Sequence, residues 1–257
     1  GNIKTAFSGI LDALAGSPCP QIIRYGVADY RNYTDGGNYQ AYGVNLVQPF
    51  TSSIQDTWSA INGLSAGSGG DIPESQLKAM VSIADNWLTT SGDLGFNGRA
   101  DAQKIIIWSG DAPGHIAGDE PMSSGSPPAG YYPSLDETID ALTTQGILVF
   151  ALNSAACNSG LNTPYAGLNN HTPPARQQAS EITAATGGML FCGVGSGSSY
   201  IEDAIVDAVR CYSLEKEDDV DESDCRSPGQ MISYTVQPVS YTHLRAHETP
   251  EHLVCRL

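Results

Sequence analysis

The chain has 257 residues, 40% hydrophobic and 16% charged, with 12 Lys+Arg against 28 Asp+Glu and a formal net charge of −16. This is the composition of a globular chain of one ordinary domain plus a remainder, not of a disordered one. So acidic a surface repels phosphate backbones and argues against nucleic acid as a partner, and no apolar run reaches the ~18–20 residues that a membrane span needs. The sequence opens on Gly1-Asn2-Ile3-Lys4, with neither methionine nor secretory leader, and reads as a piece of a longer chain.

Strands and helices alternate along it. Residues 5–15 carry Phe7, Ile10, Leu11 and Leu14 at helical spacing. Residues 21–30 (QIIRYGVADY) and 42–50 (YGVNLVQPF) read as strands around an Asp35-Gly36-Gly37 turn. Residues 53–64 place Ile54, Trp58, Ile61 and Leu64 on one helical face, and 73–88 do the same with Leu77, Met80, Val81, Ala84, Trp87 and Leu88. Residues 104–108 (KIIIW) form a short continuous apolar run, the mark of a strand covered on both faces. A Gly/Pro/Ser-rich loop over 110–133 leads to a helix at 134–145, with Ser134 and Glu137 spaced as a capping box and Gly146 as its stop. A second buried strand (147–152, ILVFAL), a helix (174–186), a strand (189–192) and a helix (199–212) complete the pattern. Such alternation predicts an α/β fold with a parallel sheet and helices on both faces. Residues 213–238 read as an acidic linker, Glu215 to Asp224 being a solvated charge run, and the start of a truncated next domain.

Residues 239–257 (VSYTHLRAHETPEHLVCRL) resemble, over their whole length, the in-frame translation of a transposase-type sequencing adapter, and are excluded from the fold argument. Their removal takes away Arg245 and Arg256 together with Glu248 and Glu251, so the net charge is unchanged. The apparent metal cluster of His243, His247, His252 and Cys255 goes with them, leaving His115 and His171. Cys19, Cys157, Cys192, Cys211 and Cys225 match no zinc or CxxC spacing. Two sequons, at Asn32 and Asn170, permit glycosylation, and the cysteine usage leans toward an oxidising compartment.

The segments RYGVADYRNY, NLVQPFTSS, GSGGDIPESQLKAM, IIIWSGDAPGH, GILVFALN and a late TGG, in that order and spacing, resemble a von Willebrand factor type A domain of the integrin-beta-like variety over about Thr5 to Tyr212, within a domain of residues 1–212. The resemblance implies a doubly wound open sheet, mostly parallel with one antiparallel edge strand. It also implies a divalent cation held at the carboxyl end of the sheet by three oxygen-bearing loops. Asp71-Ile72-Pro73-Glu74 matches the second loop and Asp111 the third. Glu74 would approach the principal ion, and Asp71 would serve a neighbouring one with the Pro73 carbonyl beside it. The first loop, Asp-x-Ser-x-Ser, and the central first strand are expected upstream of Gly1. Strands 21–30 and 104–108 would then flank a gap, leaving the fragment unstable or its sheet distorted. On that fold the cysteines would pair as Cys19–Cys211 and Cys157–Cys192, leaving Cys225 for a partner in missing sequence.

Oxygen-only ligands suit Mg²⁺ or Ca²⁺, with Mn²⁺ as an alternative, bound weakly by so partial a set. The implied function is non-catalytic, extracellular or cell-surface binding of an acidic group on a protein or glycan partner. Blander readings stand beside it. Asp71 and Glu74 together form a helix capping box, and Asp111 is a turn aspartate in Asp-Ala-Pro-Gly. His115 either rims the site or is simply solvated, while Tyr131 and Tyr132 read as loop packing. The rival function is a spacer or assembly module without metal. A hydrolase is a minor alternative: Gly63-Leu64-Ser65-Ala66-Gly67 satisfies G-x-S-x-G, but a helix stands where the strand should precede the serine.

Overall fold

A computed structural model describes residues 2–17, 23–65, 73–85, 102–119, 127–168, 174–194 and 199–208. Its elements in chain order are α1 (Asn2–Ala15), β1 (Tyr25–Tyr30), α2 (Gly37–Tyr42), β2 (Val44–Thr51), α3 (Ile54–Gly63), α4 (Gln76–Ala84), β3 (Lys104–Gly110), α5 (Leu135–Thr144), β4 (Ile147–Asn153), α6 (Gln178–Thr186), β5 (Met189–Cys192) and α7 (Ser199–Ala208). The fold is α/β. The Asp35-Gly36-Gly37 turn is more than a turn, because a short helix follows it and ends on Gly43 in the left-handed conformation. Two helices start later than the periodicity predicts. Pro73, Glu74 and Ser75 lie ahead of α4, and Pro174 to Gln177 lie ahead of α6.

Strand β4 explains the core. It pairs in parallel with β3 on one side and β5 on the other. Its alternate residues Ile147, Val149 and Ala151 enter a core with Leu77 and Met80 of α4, Leu135 and Leu142 of α5, and Ile182 of α6. Leu148, Phe150 and Leu152 enter the opposite core with Ile10 and Leu14 of α1, Ile61 of α3, and Ile201 and Ile205 of α7. The two-residue period sends successive side chains to opposite faces, so a strand covered on both must be apolar throughout. β3 repeats the logic, with Ile105 and Ile107 on the α1/α7 side and Ile106 and Trp108 on the other.

The strands form two sheets rather than one. β1 and β2 make an antiparallel pair, β3-β4-β5 a parallel trio. Among the described residues no ladder joins β1 to β3. Beside the core that Tyr25 and Val27 share with Ile105 and Ile107, a side chain joins them: the Tyr30 hydroxyl donates to the Ser109 carbonyl at 2.9 Å. Paired strands lie ~4.8 Å apart, and a tyrosine laid crosswise marks a wider interval. The antiparallel strand is the expected one, but it belongs to a separate sheet.

Capping is explicit in two helices. The Ser53 hydroxyl accepts from the Asp56 amide at α3, and Ser134 and Glu137 form a reciprocal capping box at α5. Cys157 and Cys192 are joined by a disulfide with Cα atoms 5.1 Å apart, the pair the family resemblance implies. Cys19, Cys211 and Cys225, the acidic run 215–224 and the segment 239–257 lie outside the described residues.

Backbone hydrogen exchange tests the two-sheet arrangement. Phe150, Ala151 and Leu152, bonded to a strand on each side, are expected to be uniformly slow. Alternate amides of β3, from Ile105 to Ser109, exchange orders of magnitude faster because they face no partner strand. Uniform protection along β3 would contradict the arrangement.

Candidate metal site

Glu74 and Asp111 come from segments 37 residues apart in the chain, yet these segments lie side by side. The Glu74 amide donates to the Pro113 carbonyl at 3.1 Å, and the His115 amide donates to the Glu74 carbonyl at 2.8 Å. This is one rung of a parallel ladder, with Glu74 opposite Gly114. The capping-box reading therefore fails for Glu74. The residue before α4 is Ser75, which makes no side-chain cap, and Glu74 sits outside the helix in extended pairing. Asp71 lies outside the described residues.

The near end of the 111–119 loop is fastened by neutral side-chain amides. Gln178, at the first turn of α6 and 1% exposed, takes the Gly114 amide on Oε1 at 2.6 Å and donates Nε2 to the Gly114 carbonyl at 2.7 Å. Its amide group imitates a neighbouring strand. Gln76, at the start of α4, donates Nε2 to the Ala112 carbonyl at 2.8 Å. Two buried acceptors beside Glu74, Ser75 Oγ and Gln76 Oε1, have no hydrogen-bond partner among the described residues.

Asp119 holds the far end of the loop. It is fully buried and accepts from the Ile116 amide at 2.9 Å, the Leu168 amide at 2.6 Å and the Tyr165 hydroxyl at 2.8 Å, with His115 Nδ1 at 3.2 Å. Burial pushes its carboxyl up, but the bonds from His115, Ile116, Leu168 and Tyr165 outweigh that and hold it below the ordinary carboxylate range. His115 is 3% exposed and stacked on Tyr132 at 4.4 Å between ring centroids. The expectation that it rims the site or is solvated is corrected: the Asp119 carboxylate draws the imidazole inward, where it is packed. Tyr131 and Tyr132 are buried, edge-to-face on each other at 4.9 Å.

Asn32 follows β1 and is 4% exposed, so this sequon is no glycan acceptor. Its Nδ2 donates to the Pro73 carbonyl at 3.2 Å. The carbonyl that the resemblance assigns to a neighbouring ion therefore already receives a protein donor. Tyr30, two residues earlier, stands between the two acidic segments. Burial raises the pKa of its hydroxyl; the Trp108 indole, whose N–H meets no acceptor at hydrogen-bond geometry, opposes the rise, and the charges of Glu74 and Asp111 add to it. The Glu74–Gly114 rung and the place of Asp111 directly after β3 put the two residues at the same end of the sheet.

An open cleft alongside is lined by Asp29, Arg31, Tyr39, Asn45, Ser59 and Ser65 among others. Its polar groups serve one another. Asp29 accepts from Arg31 Nε at 3.3 Å, the Tyr39 hydroxyl at 2.9 Å and Asn45 Nδ2 at 3.4 Å. Burial and the bond to Asp29 push the Tyr39 hydroxyl up to about 12. Ser65 follows α3, and its carbonyl accepts from Arg31 Nη2 at 3.4 Å.

The donor set at the candidate site is all oxygen and incomplete: two carboxylates on a rigid frame. Among the described residues no group of three or more His, Cys, Asp and Glu could hold a metal. Sequence reasoning picked out the two carboxylates. It missed Tyr30, Asn32, Gln76, Asp119 and Gln178, which position them. Of these only Asp119 carried a signal, as an acid in a Gly-rich loop.

No family model and no curated protein matches the chain. Among solved structures it is similar to a conserved hypothetical protein, BatB, from Bacteroides thetaiotaomicron, at 17% identity and TM-score 0.44 over 80% of this chain and 84% of that one. It is also similar to an aerotolerance-related membrane protein from Bacteroides fragilis NCTC 9343 carrying multiple mutations to serines, at 14% identity and TM-score 0.44 over 80% and 87%. Likenesses at this level carry no functional argument. No described helix is long and apolar enough to cross a membrane.

Asp119→Asn is expected to cost about 3–5 kcal/mol at neutral pH, the range for breaking a buried charged network. Because the folded carboxyl titrates lower than the unfolded one, its stabilisation is full above the unfolded value and fades as pH falls through the folded value. Urea melts of wild type and Asp119→Asn should therefore converge in acid below the ordinary carboxylate range. A constant gap across pH would assign the loss to packing instead.

Proposed function

We propose that this is a non-catalytic binding domain that uses a divalent cation, Mg²⁺ or Ca²⁺, to engage an acidic group on a protein or glycan partner outside the cell. The observation that carries this reading is that Glu74 pairs with Gly114 in the loop that Asp111 opens directly after β3, so that both carboxylates belong to adjoining segments at the carboxyl end of the sheet. Hard oxygens of this kind suit hard cations. The Ser75 Oγ and Gln76 Oε1 atoms, buried and without a hydrogen-bond partner among the described residues, support it. When bound, the cation supplies an electrophilic position for an incoming carboxylate. The chain's part is to hold two carboxylates on the hydrogen-bonded frame that Gln76, Gln178 and Asp119 supply. The Cys157–Cys192 bond supports an oxidising, extracytoplasmic setting.

A second reading, a spacer or assembly module without metal, is favoured by one observation. The Asn32 amide donates to the Pro73 carbonyl, filling with a donor a position where a cation site needs a free acceptor.

Titration calorimetry separates the two. The metal reading expects weak binding of Mg²⁺ or Ca²⁺ to this chain, abolished by Glu74→Gln and by Asp111→Asn alike, with little change in thermal stability. Binding heat that neither substitution alters sinks the metal reading, and no heat at all favours the spacer.

A further inference from the structure

A tyrosine at the end of a half-buried strand needs a reason for its hydroxyl. Burying that group without a partner costs free energy that phenylalanine avoids. Here the hydroxyl leaves its own sheet, crosses the interval to β3 and donates to the Ser109 carbonyl at 2.9 Å, two residues before Asp111. The next residue, Gly110, makes room for it. A Cβ there would collide with the Tyr30 hydroxyl and come within 2.7 Å of Leu161 Cδ2, so any side chain at 110 displaces the phenol. On the other flank, Asn32 binds the Pro73 carbonyl at 3.2 Å, one residue before Glu74. The end of β1 therefore holds both acidic segments at once, Asp111 through Tyr30 and Glu74 through Asn32. The Glu74–Gly114 rung then closes the circuit.

We propose that Tyr30 is the positioning residue of this site: its hydroxyl bridges the two sheets and fixes the separation of the Glu74 and Asp111 carboxylates that one cation spans. The proposal rests on the cation reading above. The role assigned to Tyr30 rests on the bond its hydroxyl donates to Ser109, not on contact with the ion. Tyr30 acts through the Asp111 segment, which without that bond keeps the Glu74–Gly114 rung and the bonds from Gln76 and Gln178 but loses its tie to the end of β1 on the Ser109 side. Sequence pattern did not show this, since Tyr30 reads as one more residue of a strand.

Terbium(III) luminescence tests it, with the ion as its own probe and the aromatic pair Tyr30 and Trp108 beside the site as sensitisers. Wild type is expected to give emission on excitation of its aromatic side chains that Mg²⁺ or Ca²⁺ displaces. Tyr30→Phe should weaken terbium binding roughly tenfold, the weight of one buried hydrogen bond, while circular dichroism shows a folded chain. Lifetimes in H₂O and D₂O, read with excess ion and direct excitation, should report more bound water in the variant, because one carboxylate no longer reaches the ion. Gly110→Ala, which expels the hydroxyl instead of deleting it, should do the same, and Tyr39→Phe, outside the site, should change neither readout. Equal affinity and hydration in wild type and folded Tyr30→Phe would overturn the role of Tyr30 and leave the cation reading standing. No displaceable terbium emission in wild type would overturn the cation reading and the proposal with it.

Discussion

Two backbone hydrogen bonds, Glu74 N–H to Pro113 C=O and His115 N–H to Glu74 C=O, set the geometry on which the carboxyl end of the sheet depends. They form a single rung of parallel ladder outside any regular strand. A rung that short has little stability of its own, so its persistence has to be enforced by its surroundings. Gln178 does this from α6, Gln76 from α4, and Asp119 from within the loop. Each fastening reaches a backbone group, and those of Gln76 and Gln178 are buried, where a satisfied hydrogen bond is strong and an unsatisfied one is costly. The loop has one arrangement in which all these groups are paired. That is how a segment rich in glycine and proline becomes as fixed as a strand.

The fold was largely legible because its cause is periodic. KIIIW and ILVFAL are apolar at every position, and a strand that sends alternate residues into two cores must be. The Ser134–Glu137 box was equally readable, since it is a local device with its own spacing. Helix starts were less so. Apolar spacing continues smoothly from Pro73 into α4, but Glu74 is recruited by Gly114, a partner distant in sequence, and the helix begins only at Gln76. Tertiary pairing overrode the local pattern there.

The candidate site was half legible for the same reason. Acidic residues in turns stand out by type, so Glu74 and Asp111 could be singled out. Their supports could not be. Gln178 and Gln76 sit in helices as ordinary polar residues, and only the folded backbone brings their amides against Ala112 and Gly114. His115 misled because a loop histidine is usually wet; four groups converging on Asp119 make this one dry. Asn32 matched a glycosylation sequon and turned out to be a buried strut.

The Cys157–Cys192 bridge has a mechanical consequence. It spans 35 positions of chain, including all of α6. When the two ends of the polypeptide are pulled apart, load passes from one sulfur to the other and bypasses that stretch. The bypassed stretch would otherwise pay out roughly 120 Å of extended chain. The element carrying Gln178 is thereby kept out of the force path, so α6 stays wound while tension unravels α1 or α7.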